Sequence, residues 1–253
     1  MRRKIVAGNW KMNKDVIEAQ QLMLQLLHYR KENPGHCEIW IAPPALYLLM
    51  AKDVFSLREV GIFAQEVSAY EEGAYTGEIS AGMLESIGAN GALVGHSERR
   101  LYHGETDDKC ALKVKICLRK GLTPIYCNGE TLQQRRAGNH LDVVKQQTET
   151  ALFGLTAEEI KNVVIAYEPV WAIGTGETAT PEQAQEIHKA IRDLIADKYG
   201  KDVAEEISIL YGGSVKPGNA EEIFSQPDID GGLIGGAALN ISDFSKIIEG
   251  IEG

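Results

Sequence analysis

An apolar run, Val163-Val164-Ile165-Ala166, leads through Tyr167 into Glu168, and Pro169-Val170-Trp171 follows at once. A carboxylate fixed at the end of a strand is a candidate general base, because a base must be held within hydrogen-bonding reach of the proton it takes. Beyond it, Ala172-Ile173-Gly174 is small and apolar, and Gly174-Thr175-Gly176 is punctuated by glycine. Residues 169–176 therefore read as a lid hinged at each side, which lands on a ligand and expels water. A bare Glu-Pro pair would suit an ordinary strand-to-helix connection with a buried glutamate equally well. The full run is more specific than that pair.

Three other places carry residue types suited to chemistry. Gly8-Asn9-Trp10-Lys11 follows the first strand; an isolated lysine there is commonly a solvated charge, but Asn9 beside Lys11 makes a pair able to bind an oxyanion. His96, in Gly95-His96-Ser97-Glu98-Arg99-Arg100, follows the fourth strand, and Ser97 and Glu98 look like the start of a short helix. A helix N-terminus disfavours imidazolium, so the ring is expected to be neutral and to donate a hydrogen bond. His28, His36, His103, His140 and His188 are read as structural. Tyr211-Gly212-Gly213-Ser214 and Gly235-Gly236 close the last two strands. Glycine lets backbone N–H groups converge on an anion and Ser214 adds a hydroxyl, so the two turns together favour a phosphate monoester.

These residues need elements to position them. Short apolar runs at 4–7, 38–42, 61–64, 91–94, 123–127, 163–167, 208–211 and 232–234 alternate with helical segments at 16–31, 45–52, 80–87, 107–120, 141–153, 181–199, 219–224 and 242–249. Thr180, Pro181 and Gln183 give the longest late helix an N-cap, a first-turn proline and a capping box, and Thr156 with Glu159 forms a second box. Alternation of this kind means parallel pairing, and eight units in 253 residues fit a closed (β/α)8 barrel. An open doubly wound sheet is the runner-up, but no G-x-G-x-x-G follows the first strand. No linker divides the chain, so residues 1–253 read as one α/β domain with eight parallel strands. Such a barrel places function at the C-terminal ends of its strands, where all the residues above fall.

Composition narrows the partners. A net charge of -10 without a long basic run argues against nucleic acid. Cys37, Cys110, Cys117 and Cys127 form no C-x-x-C pair and have no histidine at metal-ligand spacing, so they read as free thiols with no metal. Met1-Arg2-Arg3-Lys4 runs straight into a strand, with no leader and no membrane span, so a reducing cytoplasm is expected.

Taken in order and spacing, Gly8–Lys11, Gly95–Arg100, Tyr167–Gly176, Tyr211–Ser214 and Gly235-Gly236 resemble the triosephosphate isomerase family over essentially the whole chain. The resemblance implies a TIM barrel that interconverts dihydroxyacetone phosphate and D-glyceraldehyde 3-phosphate through an enediol(ate), with no cofactor. It implies Glu168 as the base, neutral His96 as the group that polarises the carbonyl, and Lys11 and Asn9 as positive potential and donor. Gly174, Ser214, Gly235 and Gly236 would grip the phosphate, and Glu98 would support the site. It also implies a glycolytic and gluconeogenic homodimer, with the loop 71–78 entering the partner and Thr76, next to Tyr75, approaching the neighbouring active site.

Glu66 stands where that family commonly has Asn, Asn128 replaces an aliphatic residue, and Ala238 occupies a position that is often Ser. Of these, Glu66 bears most on dimer strength and local electrostatics. Two other readings remain open at this point: a phosphate-binding barrel enzyme with a different reaction, and a non-catalytic phosphate-binding barrel.

Overall fold

The computed structural model describes residues 2–56, 59–173 and 178–252. Its eight strands are β1 (Ile5–Asn9), β2 (Glu38–Ala42), β3 (Gly61–Ala64), β4 (Gly91–Val94), β5 (Thr123–Asn128), β6 (Val164–Tyr167), β7 (Ile209–Tyr211) and β8 (Gly231–Ile234). They pair in sequence order, all parallel, and β8 pairs with β1 to close the barrel. Closure leaves no sheet edge, which excludes the open doubly wound alternative.

Helices form the outer layer. They are α1 (Val16–Glu32), α2 (Leu48–Val54), α3 (Ala81–Ser86), α4 (Ser97–His103), α5 (Asp107–Arg119), α6 (Leu132–Arg136), α7 (His140–Leu152), α8 (Ala157–Ile160), α9 (Pro181–Tyr199), α10 (Lys201–Ala204), α11 (Ala220–Phe224) and α12 (Ile241–Glu252). The capping boxes at Thr180 and Thr156 are both formed, each hydroxyl accepting the third backbone N–H while the Gln183 or Glu159 side chain returns to the cap. Periodicity gives little signal for α6, α8 and α10 because each is only four or five residues long, and of the three only α8 is marked in advance, by its capping box. Such turns exist through their packing and caps rather than through periodicity.

Two apolar layers follow from the two faces of the strands. Ile5, Ala7, Trp40, Ala42, Phe63, Leu93, Ile125, Cys127, Val164, Ala166, Leu210 and Leu233 fill the barrel interior. Alternate residues such as Val6, Ile41, Ile165 and Tyr167 pack outward against the helices. This period of two also aims the site. Val164 and Ala166 point inward, so Glu168 is next in phase; Ile5 and Ala7 lead likewise to Asn9, and Leu233 leads to Gly235. All four cysteines are buried free thiols.

Candidate active site

The strand ends converge on one cavity of ≈ 220 Å³, lined by Asn9, Lys11, His96, Glu168, Ile173, Gly212, Gly213, Ser214, Val215, Leu233, Gly235 and Gly236. Residues from β1, β4, β6, β7 and β8 are thereby gathered at the C-terminal mouth of the barrel.

Glu168 is 2% exposed, and both of its carboxylate oxygens are engaged. Oε2 accepts the Ser97 N–H at 2.8 Å, and Oε1 accepts the Ser97 hydroxyl at 3.3 Å and lies 2.9 Å from His96 Nε2. Burial by itself would raise its pKa. The His96 ring, the Ser97 N–H and the Lys11 ammonium outweigh burial and hold it below the ordinary carboxylate value. One wall beside the carboxylate has to be glycine: a Cβ on Gly212 would lie 2.8 Å from Glu168 Cγ and 3.0 Å from the Tyr167 carbonyl oxygen.

His96 caps α4. Its Nδ1 accepts the Glu98 N–H at 3.2 Å, which leaves Nε2 as the protonated nitrogen facing Glu168. Burial lowers the affinity of the ring for a second proton. The Glu168 carboxylate opposes burial and raises the His96 pKa above its ordinary value in this pairing. A second proton could enter only at Nδ1, where it would displace the Glu98 N–H. The ring is therefore held neutral by the α4 backbone and drawn toward protonation chiefly by Glu168, for as long as the two side chains face each other, with a weaker pull from the Glu98 carboxylate.

Lys11 has a backbone φ of 51°, unusual for a residue other than glycine. Three contacts hold it there. The Asn9 side chain accepts its N–H at 3.0 Å, Gln65 Nε2 donates to its carbonyl at 2.8 Å, and its Nζ pairs with Glu98 Oε1 at 2.6 Å. Backbone strain that must be held in place by neighbours is typical of functional positions. Ser214, Gly235 and Gly236, at the ends of β7 and β8, line the same cavity as Glu168 and Lys11. Gly174, the remaining residue expected there, lies outside the described residues, as do Thr175 and Gly176.

The described part of the expected lid is anchored at its base. Pro169 leads into a single 3-10 turn, Val170–Ala172, and Ala172 is buried. The Val170 N–H donates to the Glu130 carbonyl at 3.1 Å, and Trp171 Nε1 donates to Glu130 Oε1 at 2.8 Å. The Arg135 guanidinium sits 5.2 Å over the Trp171 ring, and Ile173 reaches the cavity wall.

Ser97, Gly212, Glu130 and Gln65 were not singled out for a role by sequence reasoning. Ser97 and Gly212 stand inside motifs that were read, and β-strand phase points Gly212 at the mouth. Nothing local in the sequence marks Glu130 or Gln65, because their partners are up to 54 residues away.

The three departures are resolved in structural terms. Glu66 pairs with Lys113 and Arg99, and Glu105 shares both cations, at 2.9 Å from Lys113 Nζ and 3.1 Å from Arg99 Nε. Its neighbour Gln65, and not Glu66 itself, touches Lys11. Asn128 donates to Thr148 Oγ1 at 2.9 Å, while its carbonyl accepts the Glu168 N–H at 2.7 Å. Ala238 is buried against Gly8, where an added Cβ would come within 2.9 Å. Tyr75 stacks on Tyr70 with centroids 4.0 Å apart, and Thr76 is exposed beside it.

Comparison with known proteins agrees with this geometry. The sequence profile of the family described as "Triosephosphate isomerase" matches residues 4–251. A triosephosphate isomerase of Chloroherpeton thalassium is 52% identical over 252 residues, covering 100% of both chains. One from Flavobacterium psychrophilum is 51% identical over 251 residues, 99% of this chain and 100% of its own. One from Bacteroides fragilis is 50% identical over 249 residues, 98% of this chain and 99% of its own.

Proposed function

Because the chain belongs to the triosephosphate isomerase family, we propose that it interconverts dihydroxyacetone phosphate and D-glyceraldehyde 3-phosphate without a cofactor. The observation that carries this reading is the single cavity shared by Glu168, His96, Lys11, Asn9 and the glycine-rich ends of β7 and β8.

The phosphate rests on Ser214 and on the N–H groups around Gly235 and Gly236, with Gly174 of the lid completing the grip. Its binding energy positions the distal carbons. Glu168 leaves Ser97 and moves along the space that Gly212 keeps clear. It takes a proton from the carbon beside the carbonyl, and the C–H electron pair becomes the double bond of an enediol(ate). His96 donates from Nε2 to the oxygen on which charge develops, and Lys11 and Asn9 face that charge as cation and amide donor. Glu168 then returns the proton to the adjacent carbon, while the hydroxyl proton on that carbon passes by way of His96 to the former carbonyl oxygen, so that the carbonyl has moved by one carbon. Glu98 supports the site by setting both Lys11 Nζ and, through its N–H, the tautomer of His96. Residues 169–176 act as the lid that keeps water from the intermediate.

We read residues 1–253 as one domain working as a cytoplasmic homodimer in glycolysis and gluconeogenesis, with no nucleic-acid or membrane partner. Dimerisation is supported by large apolar side chains left exposed, Met12 at 96%, Leu46, Met83, Leu101, Tyr102 and Tyr75, of which Met12 and Tyr102 line a cavity with Lys11. A second cavity of ≈ 460 Å³ beside the site, lined in part by Lys11, Met12, Glu66 and Tyr102, is a receptacle for the partner's Tyr75–Thr76 loop. Among the described residues no helix is long and apolar enough to cross a membrane.

The test is proton NMR of dihydroxyacetone phosphate in deuterated water with the unchanged chain and with Glu168→Gln. Deuterium entry with formation of glyceraldehyde 3-phosphate is expected for the unchanged chain, and neither for the variant, which still binds a phosphate analogue. Binding without exchange in the unchanged chain would leave a non-catalytic phosphate-binding barrel.

A further inference from the structure

His96 stands on a joint that could turn. The residue before it, Gly95, has a φ of +77°. Glycine resists rotation of its flanking peptide less than any other residue. The peptide joining Gly95 to His96 is flanked by ψ of Gly95 and φ of His96, so a rotation about ψ of Gly95 would carry His96 and its imidazole away from their place at the end of β4.

Two charged side chains hold Gly95, one on the peptide before it and one on the peptide that leads to His96. The Gly95 N–H donates to Glu105 Oε1 at 2.8 Å. The Gly95 carbonyl, which belongs to the peptide preceding His96, accepts Arg100 Nε at 2.7 Å. The same guanidinium spans the gap to β5, donating from Nη2 to the Cys127 carbonyl at 3.0 Å and to Tyr126 Oη at 3.4 Å. Its outer edge is fixed by Asp107 Oδ1 at 2.5 Å from Nη1, and its plane lies 5.9 Å from the Tyr126 ring centroid. Every nitrogen of the fork is therefore tied to a different fixed point, on β4, β5 and the start of α5. The fit is tight as well: a Cβ on Gly95 would lie 2.9 Å from Arg100 Nη2 and 3.0 Å from the Cys127 carbonyl oxygen.

We propose that Arg100, by holding the Gly95 carbonyl against the end of β5, is a positioning residue that fixes the rotation of the His96 imidazole. The inference rests on the reading of His96 as the group that polarises the substrate carbonyl. Among the described residues the Arg100 guanidinium bonds to none that lines that cavity, and it acts through the backbone. A lysine cannot replace it, since one ammonium on a flexible stem does not reproduce a planar fork with three directions of donation.

The experiment is a double-mutant cycle of Arg100→Lys with His96→Gln, with kcat and KM for D-glyceraldehyde 3-phosphate measured separately. A misplacement of a catalytic group by about 1 Å is worth up to about a hundredfold in rate, so Arg100→Lys should lower kcat by about tenfold to a hundredfold. KM should stay within about twofold, because the phosphate grip and Lys11 are untouched. In the His96→Gln background the same substitution should change kcat by less than about twofold. Equal losses in both backgrounds, or an unchanged kcat in Arg100→Lys alone, would overturn the proposal, leaving Arg100 as structural glue between β4 and β5. If Arg100→Lys does not fold, Asp107→Asn loosens the same guanidinium from the solvent side. It should give a smaller loss that again vanishes with His96→Gln, and no such pattern would overturn the proposal equally. Should His96→Gln itself isomerise as fast as the unchanged chain, the reading of His96 fails and the positioning role with it.

Discussion

Replacing Glu66 with Gln should stabilise the protein above neutral pH, even though Glu66 makes two ion pairs. Burial, the largest influence, and the Glu105 carboxylate raise its pKa from 4.5 to about 7, against the opposing pull of Lys113 and Arg99. Two carboxylates thus compete for the same two cations. Glu105 wins, with a pKa lowered to about 2 by Lys113, Arg99 and the Gly95 N–H despite its own burial. The sign follows from linkage. Below about pH 4.5 Glu66 is protonated in both folded and unfolded chains and contributes nothing. Between about 4.5 and about 7 the folded chain keeps a proton that the unfolded chain has lost, so stability falls as pH rises. Above about 7 the full cost of ionising a buried carboxyl is present.

The magnitude is bounded by the same values. Raising a carboxyl from 4.5 to about 7 corresponds, at about 1.4 kcal/mol per pH unit, to about 3 kcal/mol. The Glu66 side chain is 23% exposed, and solvent screening brings the expected gain at pH 8 to about 1 to 2 kcal/mol. The assay is urea unfolding of both proteins at pH 5 and pH 8, at one fixed protein concentration, because the stability of the proposed dimer would depend on concentration. Glu105 titrates well below this range, and the histidines are common to both proteins and cancel in the difference. The advantage of Glu66→Gln should be present at pH 8 and shrink by pH 5. A variant less stable at pH 8, or a gap that does not change with pH, would refute the reasoning and make the pairs with Lys113 and Arg99 the dominant effect.

Lys11→Met removes the one ammonium lining the cavity and should raise KM for the anionic substrate by about ten- to a hundredfold, the range expected for a lost hydrogen bond to a charged group. Unchanged KM and kcat in steady-state assays would remove Lys11 from the site. Gly212→Ala brings a methyl to 2.8 Å from Glu168 Cγ and should lower kcat by about tenfold or more with little change in thermal midpoint. A kcat within about twofold of the unchanged chain would mean that Glu168 does not travel along that wall.

Much of this architecture was legible because one physical period served two purposes. The alternation that buries Val164 and Ala166 also turns Glu168 into the barrel, so a strand found by its apolar run already implies where its terminal side chain points. Helices with caps, such as α9 behind Thr180 and Pro181, were equally readable. Strand ends were less so: β1 runs through Asn9 and β5 through Asn128, beyond the apolar residues that mark them, because barrel hydrogen bonding continues after apolar burial stops. Contacts between distant segments left no sequence signal. Gln65 bridging the carbonyls of Lys11 and Ala42, or Glu130 meeting Tyr167, Trp171 and Arg135, depends on which loops the closed barrel brings together.

Glu66 and Glu168 show why residue type and burial alone could not assign roles. Both are glutamates after a barrel strand, and burial pushes both upward. Glu66 meets a second carboxylate over shared cations and ends high. Glu168 meets an imidazole, a backbone N–H and an ammonium and ends low. A carboxylate held below its ordinary pKa is a poor proton acceptor, so in the proposed mechanism the position beside Ser97 is a resting one. Leaving Ser97 removes the N–H and hydroxyl, and turning from His96 removes the strongest of the contacts that draw the ring toward protonation. One movement therefore does two things: it restores basicity to the carboxylate and returns the imidazole to the neutral donor that the α4 backbone favours. In the proposed mechanism the two groups become competent together only when a substrate stands between them, which would tie proton abstraction to a filled site.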